Sequence, residues 1–221
     1  MSLRKNSIPS LSEPVSELDS VMDAIKKYLH GTGSGYKNVM DGDTYCCSLT
    51  NCKFFFEGNL PDNTKPTGLK DLEVLFTISF QYNYKGKTVI EQYGENHRKF
   101  RFELMFKNVA DKDTYVSSWH LDYEPDEPNR NIHPLFHLNF GGKKMKEIKE
   151  NVSAEYGNLL LMSAPRWNYY PMDAVLGIDL IFSNFLNKEE YVKLYTGKYK
   201  QAVDNSKLRL WKPYSDTFMN L

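Results

Sequence analysis

A chain of 221 residues can bury about 70% of the surface its unfolded form exposes, so it needs neither disulfides nor a structural metal to hold a core. Its 28 Lys and Arg offset 28 Asp and Glu, which leaves no global field to attract nucleic acid or an anionic membrane. Hydrophobic residues at 41% and charged residues at 25% exclude a disordered chain, and the 14% aromatic share favours strands.

Residues 1–12 are set aside as disordered. Across 16–29, Leu18, Val21, Met22, Ile25 and Leu29 recur at helical spacing, with Ser16 placed as N-cap. Gly31, Gly33 and Gly35 end that helix, and with no Gly-Lys-Ser/Thr after them they do not make a phosphate loop. Residues 44–57 are rich in strand formers, and 58–68 read as a loop. Cys46, Cys47 and Cys52 are odd in number and lack the spacing of a zinc site, so free thiols are expected.

Period-two alternation is clearest at 72–84, where Leu72, Val74, Phe76, Ile78, Phe80, Tyr82 and Tyr84 share one face of a long strand. Lys85-Gly86-Lys87 then supplies a turn, and 88–93 is expected to return as the hairpin partner. Further strands are predicted at 99–106, 114–123 and 133–140, with a proline-rich loop at 124–132. Past Gly141-Gly142 the pattern predicts a helix over 143–156, a short strand at 158–162 and a loop over 163–170. An apolar helix is expected from Pro171 to about Leu186, one capped by Asn187 to about Tyr195, and one at 198–205 before an aromatic tail. Strands in one run with helices at both ends predict an α+β fold in a single domain. A meandering antiparallel sheet of about five to seven strands over 44–140 packs against an N-terminal helix and a helical part at 143–221.

Candidate chemistry gathers on two of these strands. On 114–123 the even positions carry Ser118, His120 and Asp122; on 133–140 the odd positions carry His133, His137 and Asn139. If the two strands pair, cross-strand Cβ atoms lie about 4.5 to 5.5 Å apart. His120, Asp122, His133 and His137 then converge as the donor set of a divalent metal, or as a general base with its orienting carboxylate. Six acids against one Lys over 111–128 would help hold a cation, although no known motif spacing is met. A solvated sheet face, on which His is common, explains the same pattern.

A second candidate is an anion site at the helix start near 171–173, where first-turn N–H groups are unpaired and Arg166 adds a bidentate contact. Asp173 competes for those donors as a cap. Asp179 interrupts an apolar run and expects a buried partner, Arg166 or a histidine. Seven Lys and Arg against three acids over 188–212, with Tyr191, Tyr195, Tyr199 and Trp211, make a weaker case for stacking on nucleic acid bases.

No run approaches the roughly 18 apolar residues of a membrane span, and the first twenty residues lack a secretory signal's apolar stretch, so a cytoplasmic protein that binds no membrane is expected. Two functional readings stay open. One is an interaction or accessory protein that binds a protein partner, or a second copy of itself, through its sheet face or C-terminal helices. The other is a metal-dependent or His/Asp-assisted hydrolase acting on a phosphate-containing or nucleic acid substrate. It would use His120, Asp122, His133 and His137 as catalytic or metal-ligating residues, a divalent metal as cofactor and Arg166 on an anionic group.

Overall fold

Among the described residues seven antiparallel strands lie in the sheet in the order in which the chain makes them: β1 (Gly35–Asp41), β2 (Thr44–Phe56), β3 (Leu72–Asn83), β4 (Arg101–Ala110), β5 (Asp113–Tyr123), β6 (Phe136–Phe140) and β7 (Trp167–Asn168). The computed structural model describes residues 13–31, 33, 35–58, 71–95, 99–110, 113–126, 134–141 and 167–219. Its helices are α1 (Glu13–Ala24), extended by a 3-10 turn at Lys26–Tyr28, α2 (Val89–Tyr93), α3 (Ala174–Phe185), α4 (Lys188–Leu194) and α5 (Gly197–Met219). The architecture is the expected α+β meander with helices from both ends of the chain.

Register aligns the apolar residues into rows. Leu49, Ile78, Phe102, Leu121 and Leu138 are consecutive cross-strand partners, and all five are buried. Burying each such side chain contributes about 1.5 to 3 kcal/mol, which makes the row a main determinant of register. α1, α3 and α5 cover this face. α3 lies so close to the sheet that a Cβ on Gly177 would stand 2.5 Å from Phe76 Cζ and 3.0 Å from Phe102 Cε2. Farther along α3, Phe182 meets Tyr28, Phe54 and Phe56 edge-on, with ring centroids 5.2, 5.5 and 5.3 Å away.

One irregularity explains why 44–57 shows strand composition without clean alternation. Leu49 pairs with Ile78 and Cys52 with Phe76, so Thr50 and Asn51 together stand opposite Thr77. Asn51 takes φ 53°, and its backbone N–H donates to Thr77 Oγ1 at 3.0 Å. The extra residue reverses the parity of the strand. Tyr45, Cys47 and Leu49 face the core before the bulge, and Cys52, Phe54 and Phe56 after it. All three cysteines are free, as expected, and the structure buries them.

Several expectations are corrected. Residues 89–93 are a helix and not a returning strand, because Thr88 and Glu91 form a reciprocal capping box that fixes a helix start. β1, unassigned from the sequence, pairs with β2 across Gly42-Asp43, so the sheet begins at 35 rather than 44, and β7 extends it past 140. α1 starts at Glu13, ahead of the Ser16 cap. α3 starts at Ala174 with Asp173 as N-cap, so Pro171 precedes the helix. The aromatic tail continues α5 to Met219, with Pro213 inside it. Asn187 caps α4 through Glu190 N–H, as its sequence indicates. The predictions for 1–12, 58–68 beyond Gly58, 127–133, 143–156, 158–162 and 163–166 fall outside the described residues. Among the described residues no helix is long and apolar enough to cross a membrane.

Candidate functional site

The hairpin expected between 114–123 and 133–140 is present as β5–β6. His120 stands opposite Asn139, and Asp122 opposite His137. On the other side of β5, Glu103 of β4 is the cross-strand partner of His120. Residues directly opposite one another in an antiparallel pair point to the same face, so Glu103, His120, Asn139, Asp122 and His137 share the polar face of the sheet, turned away from α3.

Asp122 Oδ2 is the centre of the group. Asn139 Nδ2 donates to it at 2.8 Å, His120 Nε2 lies 3.4 Å away and His137 Nε2 3.6 Å away. Desolvation pushes the Asp122 carboxyl up, but the hydrogen bond and charge of His120, the charge of His137 and the Asn139 amide outweigh it and hold the pKa below the ordinary 3.8. His137 is 1% exposed, and its Nδ1 lies 3.1 Å from the carbonyl oxygen of Pro134. The carbonyl can only accept, so Nδ1 carries a proton, and Nε2 faces the carboxylate. His120 differs: with Nε2 facing Asp122, its Nδ1 is buried and has no hydrogen-bond partner among the described residues, and the same holds for Ser118 Oγ two residues earlier on this face.

Three of the four predicted residues, His120, Asp122 and His137, therefore come together. His133 and Arg166 lie outside the described residues. Among the described residues no group of three or more His, Cys, Asp and Glu is disposed to hold a metal ion. The alternation of 99–106 places Glu103 on the polar face without linking it to this group; the β4–β5 register sets it opposite His120.

At the second candidate, Asp173 is a cap and more. Its Oδ1 accepts from Leu176 N–H at 2.9 Å, while its Oδ2 accepts from the Ser206 hydroxyl at 2.6 Å and lies 3.7 Å from Arg209 Nη2. The protein's own carboxylate thus occupies the place an external anion would take at this helix start. Asp179 has partners other than those expected: Tyr191 and Tyr199 donate to it at 2.9 and 3.2 Å, and Lys207 lies 3.9 Å away. The aromatic side chains of 188–212 are tied inward as well. Tyr195 donates to Asp204 and Trp211 to the carbonyl of Pro171, and Arg209, counted in the basic stretch, is buried between Glu17 and Asp173.

A cleft of about 530 Å³ lies between α1 and the α4–α5 corner, lined by Asp19, Asp23, Lys193 and Lys198 among others. Its carboxylates are already engaged, Asp19 by Tyr36 and Asn38 and Asp23 by Lys26. Comparison with protein-family models, with curated proteins and with solved structures finds no match to this chain.

Proposed function

We propose that this chain is an interaction or accessory protein whose recognition site is the polar face of the sheet at β5 and β6, centred on His120, Asp122 and His137. One observation carries the reading: among the described residues His120 Nδ1 and Ser118 Oγ are buried without partners, two residues apart on a face where Asp122 Oδ2 is already engaged by Asn139, His120 and His137. Folded proteins pair nearly all buried polar atoms, so two neighbouring orphans mark a place where a bound group supplies the missing hydrogen bonds. A group that donates to the imidazole and accepts from the hydroxyl fits both. A photo-crosslinking residue in place of Asn139 tests this in cells. The expected result is a discrete adduct that disappears with His120→Ala. An adduct unchanged by that substitution, or none, overturns the reading.

A second reading is a His/Asp-assisted hydrolase, favoured by the orientation of His120. In its neutral form, with the Nε2 proton facing Asp122, His120 presents its Nδ1 lone pair as a general base to a substrate hydroxyl or water that reaches this buried atom. A divalent metal would need a further ligand such as His133. Activated carboxylic and phosphate esters, assayed with and without EDTA, Zn²⁺ and Mn²⁺, separate the cases. Turnover lost in His120→Ala and Asp122→Asn supports hydrolysis, EDTA sensitivity supports a metal, and no turnover under any condition removes this reading.

A further inference from the structure

We infer that β1 is a self-association edge at which two copies of this chain pair antiparallel about Val39, joining their sheets into one. Among the described residues β1 is the first strand of the sheet and pairs only with β2. Asp41 and Thr44 close a two-residue turn in which Gly42 has φ +58°. In such a hairpin the closing pair exchanges both its backbone bonds, so Asp41, Val39 and Lys37 direct N–H and C=O towards β2, and Met40, Asn38 and Tyr36 direct theirs outwards. Among the described residues, none of these three outward-facing residues has a backbone partner. The strand carries no proline and no bulge, two of the usual devices that blunt an edge.

Its charges favour a second copy over other occupants. Lys37, Val39 and Asp41 are exposed on one face, with Val39 41% exposed, and Lys37 and Asp41 make no ion pair among the described residues. Lys on an edge strand normally repels strand addition. Here Lys37 and Asp41 are symmetric about Val39, so a two-fold axis there sets each Lys37 opposite the Asp41 of the other copy, twice. These are non-hydrogen-bonded positions, where facing Cβ atoms come within about 4.5 to 5.5 Å. The same axis places Asn38 opposite Met40 of the other copy, and each such pair exchanges both of its N–H···O bonds. Shifting the axis to Asn38 sets Lys37 against Val39, and shifting it to Met40 sets Asp41 against Val39. Both neighbouring registers lose the Lys37–Asp41 pairs, and the second brings Lys37 only to Asp43, a turn residue already paired with Lys85, so the charge pattern favours one self-pairing over slipped ones.

Sedimentation velocity on the full chain over a concentration series tests the inference. Lys37→Glu and Asp41→Lys each turn two attractive contacts into two repulsive ones and should weaken the dimer by about tenfold or more; Lys37→Glu combined with Asp41→Lys should restore it. Both side chains are exposed, and an unchanged thermal melt confirms that the single variants fold. Amide exchange at Asn38 and Met40 should slow as the concentration rises, while exchange at Val39 should not change. A monomer at every concentration, as expected if residues 1–12 or another protein occupy this edge, overturns the inference. So does a dimer indifferent to either single substitution.

Discussion

Arg209 on α5 and Glu17 on α1 are paired inside the protein, with Nη2 2.6 Å from Oε2 and side chains only 9% and 10% exposed. Asn205 donates to Glu17 at 2.6 Å, and Asp173 presents a second carboxylate to the same guanidinium. A single cation thus serves two buried anions at the seam where α1, α3 and α5 meet.

Removing that cation should be costly. Arg209→Met keeps the apolar stem but leaves two carboxylates in a dry site, a situation that typically costs about 3 to 5 kcal/mol. Urea unfolding at neutral pH should show a loss of that order. A loss below about 1 kcal/mol would mean that water reaches the seam and solvates the carboxylates.

Glu17 should also leave a mark on the pH dependence of stability. Burial raises its pKa above the ordinary 4.5 despite Arg209 and Asn205, so the folded state holds the proton more tightly than the unfolded chain. The resulting stability is complete below pH 4.5 and is lost as pH rises through the folded value. Glu17→Gln removes that titration. Its stability relative to wild type should improve as pH rises above 4.5, and parallel curves would show that Glu17 is not the group responsible.

Asp122 has the opposite sign. Its folded pKa lies below 3.8, so its contribution is present above that pH and disappears as pH falls through the folded value. Asp122→Asn should destabilise at neutral pH by at most about 1 kcal/mol, since the side chain is 41% exposed and partly screened. The gap should close on acidification, and one that widens towards low pH would contradict the assignment.

Gly177→Ala pits two effects against each other. Alanine is the better helix former by about 1 kcal/mol, but its Cβ would stand 2.5 Å from Phe76 Cζ. Overpacking of this kind costs about 1 to 3 kcal/mol. A net fall in Tm is expected, and a rise would show that the Phe76 ring yields freely.

The cysteines should be silent in the folded protein. Burial pushes the thiols of Cys47 and Cys52 up to about 12, so almost none of either is thiolate at neutral pH. A thiol reagent should modify them at the rate of unfolding, with full reaction in denaturant. Prompt reaction in native buffer would show that the sheet core opens locally.

Much of this fold is legible in the residues because most strands have one dry face. The alternation of Leu72 to Tyr82 locates β3 almost to the residue, and that of Phe102 to Phe106 locates most of β4. Where the reading failed, a stronger local rule was present. Val89 to Tyr93 has strand composition, yet Thr88 and Glu91, three apart, are a helix-start signal. β1 has a hairpin signature in Asp41-Gly42, but its side chains are mostly exposed and carry little periodicity. The pairing of Asp122 with His120 and His137 followed from strand parity alone. Glu103 opposite His120 required the register between two strands, and the partners of Arg209 required knowing which helices meet. Neither is a local property of sequence.

The seam between α1 and α5 also has a kinetic meaning. Among the described residues every strand pairs with its neighbour in the chain, two of the links being only two residues long, whereas Asn205 meets Glu17 across 188 residues. Contacts that close so long a loop form late, after the transition state has gathered the local ones. The buried pair then works as a latch: Arg209→Met should leave the refolding rate nearly unchanged and express its cost as faster unfolding. A refolding rate that falls as much as the unfolding rate rises in Arg209→Met would show that the two helices already meet in the transition state.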